Sequence, residues 1–205
     1  MDMKASLLTP FSLLFLFFLL LSFSPKPSNA SSPVLDIDGH KLQTGVSYYI
    51  LPVVRGRGGG LTLGASRSGT CPLAVVQEQH EVSNGLPVRF SPADAGAIRL
   101  LTDLNIWFEA ATICVQSTAW RLAPYNGISK QYFVMSGGVL GNPGRETVSN
   151  WFKIEKMDKD YKLVFCPAVC DTCKVICRDV GVYLEGVTRR LALSDEPFRV
   201  QFKKA

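Results

Sequence analysis

Short apolar runs, separated by clusters of turn-forming residues, recur along most of the chain. The runs are rich in Val, Ile, Tyr, Phe and Trp, which favour strands, and Gly, Pro, Asn and Ser fill the segments between them. No sustained apolar pattern at helical period is found after residue 30. Many short strands separated by turns indicate an all-β barrel or sandwich. The strongest runs are VSYYILPVV (46–54), LPVRF (86–90), IWFEAA (106–111), QYFVMSG (131–137), WFKIEK (151–156), YKLVF (161–165), GVYLEG (181–186) and FRVQF (198–202).

The N-terminus has a different pattern. Lys4 precedes an almost purely apolar run over residues 11–23, and Ser28-Asn29-Ala30 offers small residues at the positions that a signal peptidase reads. A membrane anchor is the alternative, but the run is shorter than the roughly 20 residues that a spanning helix needs. The pattern predicts a secretory signal peptide, residues 1–30, and a protein without a membrane span that is secreted to the extracellular space (apoplast) or delivered to the vacuole.

Length and charge limit the remaining possibilities. Residues 31–205 are enough for one domain with a sizeable core. The formal net charge of the whole chain is +5, and its basic residues are dispersed among acidic ones. Proteins that bind nucleic acids usually concentrate their basic residues in a patch or stripe. This sequence has no such concentration, so we expect no nucleic-acid partner. The charge is most simply explained by solubility.

Four of the six cysteines lie within twelve residues, in the stretch CPAVCDTCKVIC (166–177). An exported protein folds under oxidising conditions, so an even number of cysteines indicates disulfides before it indicates zinc. Facing residues of an antiparallel hairpin have residue numbers with a constant sum, and the pairs 166/177 and 170/173 share one sum. The even separations along each strand also keep its cysteines on one face. The spacing predicts nested bridges Cys166–Cys177 and Cys170–Cys173, which leaves Cys71 and Cys114 as the third pair.

An enzyme is not expected. His40 and His80 are the only histidines and lie in different predicted loops, and no G-x-S-x-G motif occurs. All cysteines are assigned to bridges, so no thiol nucleophile is left. Asp36 and Asp38 flank a turn glycine and offer too few oxygens for a metal. The sequence predicts no cofactor, and a monomer, because no odd cysteine remains for an intermolecular bridge.

Several long segments resemble the plant Kunitz-type (soybean trypsin inhibitor) family, and most closely its miraculin-like branch. The resemblance covers residues 33–204. The segments that carry it are PVLDIDGHKLQTGVSYYILPV (33–53), CPLAVVQ (71–77), GGVLGNPG (137–144), NWFKIEK (150–156), YKLVFCPAVCDTCKVICRDVG (161–181) and RRLALSDEPF (189–198).

This resemblance implies a β-trefoil, with twelve strands forming a six-stranded barrel closed by three hairpins. It also implies the disulfide pairing given above, with Cys71–Cys114 as the third bridge. The implied function is inhibition of a serine endopeptidase, most simply a trypsin-like one. An exposed loop held in the shape of a substrate loses little entropy on binding, and a basic side chain in it pairs with the pocket carboxylate of a trypsin-like protease.

By resemblance, the inhibitory loop comprises Leu86, Pro87, Val88, Arg89 and Phe90. The family loop runs basic residue, apolar residue, Arg, Phe, and its first residue enters the protease pocket. Arg89 and Phe90 match the final pair, so Pro87 occupies the pocket position and Val88 follows the scissile bond.

Two departures from the family pattern bear on activity. Proline is a poor occupant of a trypsin pocket, and Thr44 stands where the family has an asparagine that supports the loop. Three possibilities follow: Arg89 becomes the pocket residue, another surface inhibits, or inhibition is lost. A non-inhibitory defence or binding protein, an inhibitor of papain-like cysteine proteases and a storage protein are the alternative functions.

Overall fold

The structure is a computed structural model that describes residues 31–66, 69–94 and 96–205. Twelve strands lie within these ranges, together with one 3-10 helix, Arg145–Asn150, between the seventh and eighth strands. The strands are β1 Tyr48–Pro52, β2 Leu61–Ser66, β3 Gly69–Gln77, β4 Val88–Pro92, β5 Leu104–Phe108, β6 Arg121–Leu122, β7 Val134–Met135, β8 Lys153–Met157, β9 Asp160–Phe165, β10 Arg178–Glu185, β11 Thr188–Ser194 and β12 Arg199–Lys204.

Six of the strands close into an antiparallel barrel. β1 pairs with both β4 and β12, β4 pairs with β5, and β9 pairs with both β8 and β12. The circle closes where Leu104 of β5 and Phe152, next to β8, exchange backbone hydrogen bonds of 2.7 and 2.9 Å. Closure leaves none of these strands as a free sheet edge.

The other six strands form three hairpins that contact one another. The hairpins are β2–β3, β6–β7 and β10–β11. β3 pairs with β7 and with β11, and the bridge Phe133↔Ala192 joins the third side of the triangle. A six-stranded barrel with three such hairpins is a β-trefoil, so the predicted fold is confirmed.

Apolar residues form one large buried cluster and a second, smaller one contributed by the hairpins. The large cluster includes Phe90, Trp120, Phe152 and Phe202, all buried. The smaller cluster comprises Ala74, Val76, Phe133, Met135 and Ala192. Because the barrel strands carry their apolar residues at alternate positions, one face of each strand supplies this core.

All three predicted disulfides are present. The predicted register is also found in β9 and β10, where Phe165 faces Arg178 and Val164 faces Asp179 with the same sum of residue numbers. The strands themselves stop short of the cysteines, however. β9 ends at Phe165 and β10 begins at Arg178, so the cysteine segment is an irregular loop clamped by its bridges, and the expectation that its cysteines lie on strands is wrong.

The predicted signal peptide, residues 1–30, lies outside the described residues and stays a prediction. Ser31–Ala205 form one compact unit. Within the part of the chain that the structure describes, no helix has the length and apolar character needed to cross a membrane.

Candidate functional site

The residues predicted to form the inhibitory loop lie largely within strand β4. Val88 faces Tyr48 of β1 and Phe108 of β5, and Phe90 faces Ile106. Val88 and Phe90 are both completely buried. Their burial contradicts the expectation that these two residues are exposed, whereas the inhibitory role of the segment stays a prediction. Their alternation with polar neighbours is that of a half-buried strand.

Leu86 and Pro87 precede the strand and are half-buried. The Leu86 amide donates to the Leu61 carbonyl at 2.9 Å, and the Pro87 carbonyl accepts from the Glu109 amide at 2.8 Å. Both residues are therefore tied to neighbouring segments. Pro87, the position that the resemblance assigns to the protease pocket, is half-buried just before this strand, and its role stays a prediction.

Arg89 points outward from β4, as its place between two buried residues requires. Its guanidinium forms an ion pair with the Glu109 carboxylate, and its Nε lies 3.1 Å from the Ser47 Oγ. The side chain is 35% exposed. A protease with an acidic pocket would therefore have to compete with Glu109 for this arginine.

Ser47, rather than Thr44, contacts Arg89. Thr44 is exposed in the turn before β1, whereas the Ser47 hydroxyl contacts both Arg89 and the Glu109 carboxylate. The assignment of Thr44 as a loop-supporting residue stays a prediction, and the structure adds Ser47 as the residue that contacts Arg89. Sequence analysis missed Ser47 and Glu109 because they lie far from Arg89 along the chain. A strand register for β1, β4 and β5 would have found both, since it continues to Ser47 opposite Arg89 and to Glu109 diagonally across from Arg89.

Protonation of Glu109 is expected to weaken this cluster. The hydrogen bond from Ser47, together with the positive charge of Arg89, lowers the pKa of the Glu109 carboxyl below its ordinary value of 4.5. A lowered pKa in the folded state adds stability above the ordinary value, and that stability is lost as the pH falls through the folded-state pKa. Glu109→Gln should therefore lower the thermal midpoint slightly at neutral pH and much less in strong acid. Equal effects at both pH values would contradict this assignment.

The acidic residues near the start of the domain form a local turn. The Asp36 carboxylate accepts hydrogen bonds from the amides of Asp38 at 3.0 Å and His40 at 2.8 Å. Ligand atoms of these three side chains lie within 4.8 Å of one another. The hydrogen bonds from these two backbone amides to the Asp36 carboxylate explain why the three side chains lie close together in a turn. His80 lies in the segment between β3 and β4, as the sequence predicts.

Comparison with known proteins places the chain among plant inhibitors. A family model described as trypsin and protease inhibitor, of the legume Kunitz type, matches residues 34–204. Kunitz trypsin inhibitor 5 of Arabidopsis thaliana is 53% identical over 199 residues, which cover 95% of this chain and 98% of that protein. Miraculin of Synsepalum dulcificum is 53% identical over 186 residues, which cover 86% of this chain and 84% of miraculin.

A solved structure gives the same result. The bifunctional alpha-amylase/subtilisin inhibitor of rice, Oryza sativa, is 41% identical in sequence. It superposes with a TM-score of 0.70, covering 86% of this chain and all of the rice protein. The similarity therefore extends over the whole trefoil rather than over one motif.

Proposed function

Because the chain belongs to the plant Kunitz-type (soybean trypsin inhibitor) family, in its miraculin-like branch, we propose that it is a secreted inhibitor of serine endopeptidases. The observation that carries this proposal is the family match over residues 34–204. That family consists of inhibitors rather than enzymes. Its partner is a protease, and the serine type is our proposal, supported by the trypsin and subtilisin named for the relatives.

Inhibition by such a scaffold depends on the rigidity of its surface loops. A closed barrel with three disulfides holds its surface loops in fixed positions. A fixed loop loses little conformational entropy when it docks on a protease. Rigidity also keeps the loop from rearranging into the geometry needed for cleavage and release.

One observation favours a second candidate, a non-inhibitory binding protein on the same scaffold. The last three residues of the family's loop position lie on a strand, where Val88 and Phe90 are buried and Arg89 is engaged by Glu109. The two candidates therefore differ in one respect. The first requires another surface of the protein to bind a protease, and the second does not.

Titration of four proteases distinguishes the candidates. The full-length chain is expressed in a secreting host, and the secreted protein is added in increasing amounts to trypsin, chymotrypsin, subtilisin and papain. We expect stoichiometric loss of activity for at least one of the three serine proteases. Inhibition of papain alone would contradict the serine type, and inhibition of none would favour the binding protein.

A further inference from the structure

We infer that residues 109–118, here called the bridged loop, form the protease contact, and that Ile113 and Val115 enter an apolar specificity pocket. The bridged loop connects β5 to the segment before β6 and lies beside Pro87, where the resemblance places the family's loop. This inference rests on the proposed function, since it names the surface and the class of protease involved.

Hydrogen bonds close the base of the bridged loop. The Thr118 hydroxyl donates to the Phe108 carbonyl at 2.6 Å, and the Phe108 amide donates to the Thr118 carbonyl at 3.4 Å. The Glu109 amide is held by the Pro87 carbonyl at 2.8 Å. Both ends of the loop are therefore fixed to the barrel.

The middle of the loop is fixed as well. Cys114 is bridged to Cys71 of β3, with 5.7 Å between their Cα atoms. The Thr112 hydroxyl lies within hydrogen-bond distance of the Cys114 amide and carbonyl, at 3.3 and 3.2 Å. Beyond the cysteine, the Ser117 carbonyl accepts from the Gly137 amide at 2.7 Å. Such a loop has little freedom left to lose on binding.

Two apolar side chains project from this rigid support. Ile113 is 83% exposed and Val115 is fully exposed, on either side of the bridged Cys114. Residues 110–117 carry no charged side chain. Burying two aliphatic side chains in a partner is favourable because apolar surface leaves water. An acidic trypsin pocket offers no such gain, whereas the apolar pockets of chymotrypsin-like or elastase-like proteases do.

Ile128, another strongly exposed aliphatic residue, lacks this support. It is 97% exposed, but it lies on a turn held only by hydrogen bonds, from two amides to the Asn126 side chain at 3.0 Å each and between the backbones of Asn126 and Gln131, and no cysteine lies near it in sequence. Exposure by itself therefore does not single out the bridged loop. The combination of two exposed aliphatic residues with a disulfide between them does.

The test compares Ile113→Ala and Val115→Ala with the matched control Ile128→Ala. Inhibition constants are measured against chymotrypsin, pancreatic elastase, subtilisin and trypsin, using the secreted protein. We expect each loop variant to weaken inhibition of the most sensitive apolar-pocket protease by at least about tenfold, as for a residue at the centre of an interface. Ile128→Ala should leave the constant unchanged, and thermal midpoints should confirm that all variants fold.

A change of specificity provides the second readout. If Ile113 enters the pocket, Ile113→Arg should create or strengthen inhibition of trypsin while weakening inhibition of the apolar-pocket protease. Should the wild-type protein inhibit a protease while all three alanine variants inhibit it equally, the bridged loop is excluded and the proposed function stands. A wild-type protein that inhibits none of the four overturns both.

Discussion

Replacement of Phe90 by alanine is expected to lower the free energy of unfolding by about 3–5 kcal/mol. The Phe90 ring is completely buried in the barrel core. It packs edge-on against Phe202, with ring centroids 5.6 Å apart, and lies 6.3 Å from the ring of Tyr48. Removing it leaves a cavity that neighbouring strands, held in a closed barrel, cannot collapse to fill.

The measurement is urea unfolding with the disulfides intact, followed by circular dichroism. Val82→Ala is the matched control, because Val82 is 94% exposed and surface substitutions of this kind usually change stability by less than about 0.5 kcal/mol. If Phe90→Ala were as mild as the control, Phe90 would have to lie on an exposed loop, as the family resemblance alone implies. The experiment thus decides between the strand and the loop.

The strand state of residues 88–90 was visible in the sequence. Val88 and Phe90 are apolar and Arg89 and Ser91 are polar, which is the period-2 alternation of a half-buried strand. Residues 86–90 were predicted both as a strand-forming run and, by resemblance, as an inhibitory loop. The structure agrees with the alternation. A family motif locates a segment along the chain. The alternation of apolar and polar side chains within that segment is a better guide to which of its residues are exposed.

Other strands were not predicted because their local sequences do not favour them. β2 and β3 contain Gly, Ser and Pro, and β11, TRRLALS, has Leu and Ala that suit a helix equally well. Their strand state comes from pairing: β11 aligns with β10 from Thr188 to Ser194, and β3 aligns with β2, β7 and β11. Such tertiary pairing outweighs intrinsic preference in sheets. The cysteine register, by contrast, depends only on spacing, and it was predicted correctly.

The double substitution Cys71→Ser and Cys114→Ser removes one bridge and is expected to lower the free energy of unfolding by about 4 kcal/mol. The reason is that this bridge closes a long stretch of chain in the unfolded state and so reduces its conformational entropy. The two residues are 43 apart in sequence. The matched control removes Cys170–Cys173, whose residues are only 3 apart, and the same chain-entropy model gives about 2 kcal/mol. Urea unfolding of both double variants measures the difference, and equal losses would contradict the entropic account.

Removal of the two bridges should differ more in its effect on the inhibition constant than in its effect on stability. Assayed well below the thermal midpoint of each variant, the protein without Cys71–Cys114 is folded but its bridged loop is free to move at Cys114. Ile113 and Val115 must then be ordered on binding, which costs affinity, so we expect weaker inhibition of the apolar-pocket protease. The variant without Cys170–Cys173 should retain the wild-type constant, because that bridge lies in the segment between β9 and β10. Equal inhibition by both folded variants would show that the disulfide does not prepare the bridged loop for binding.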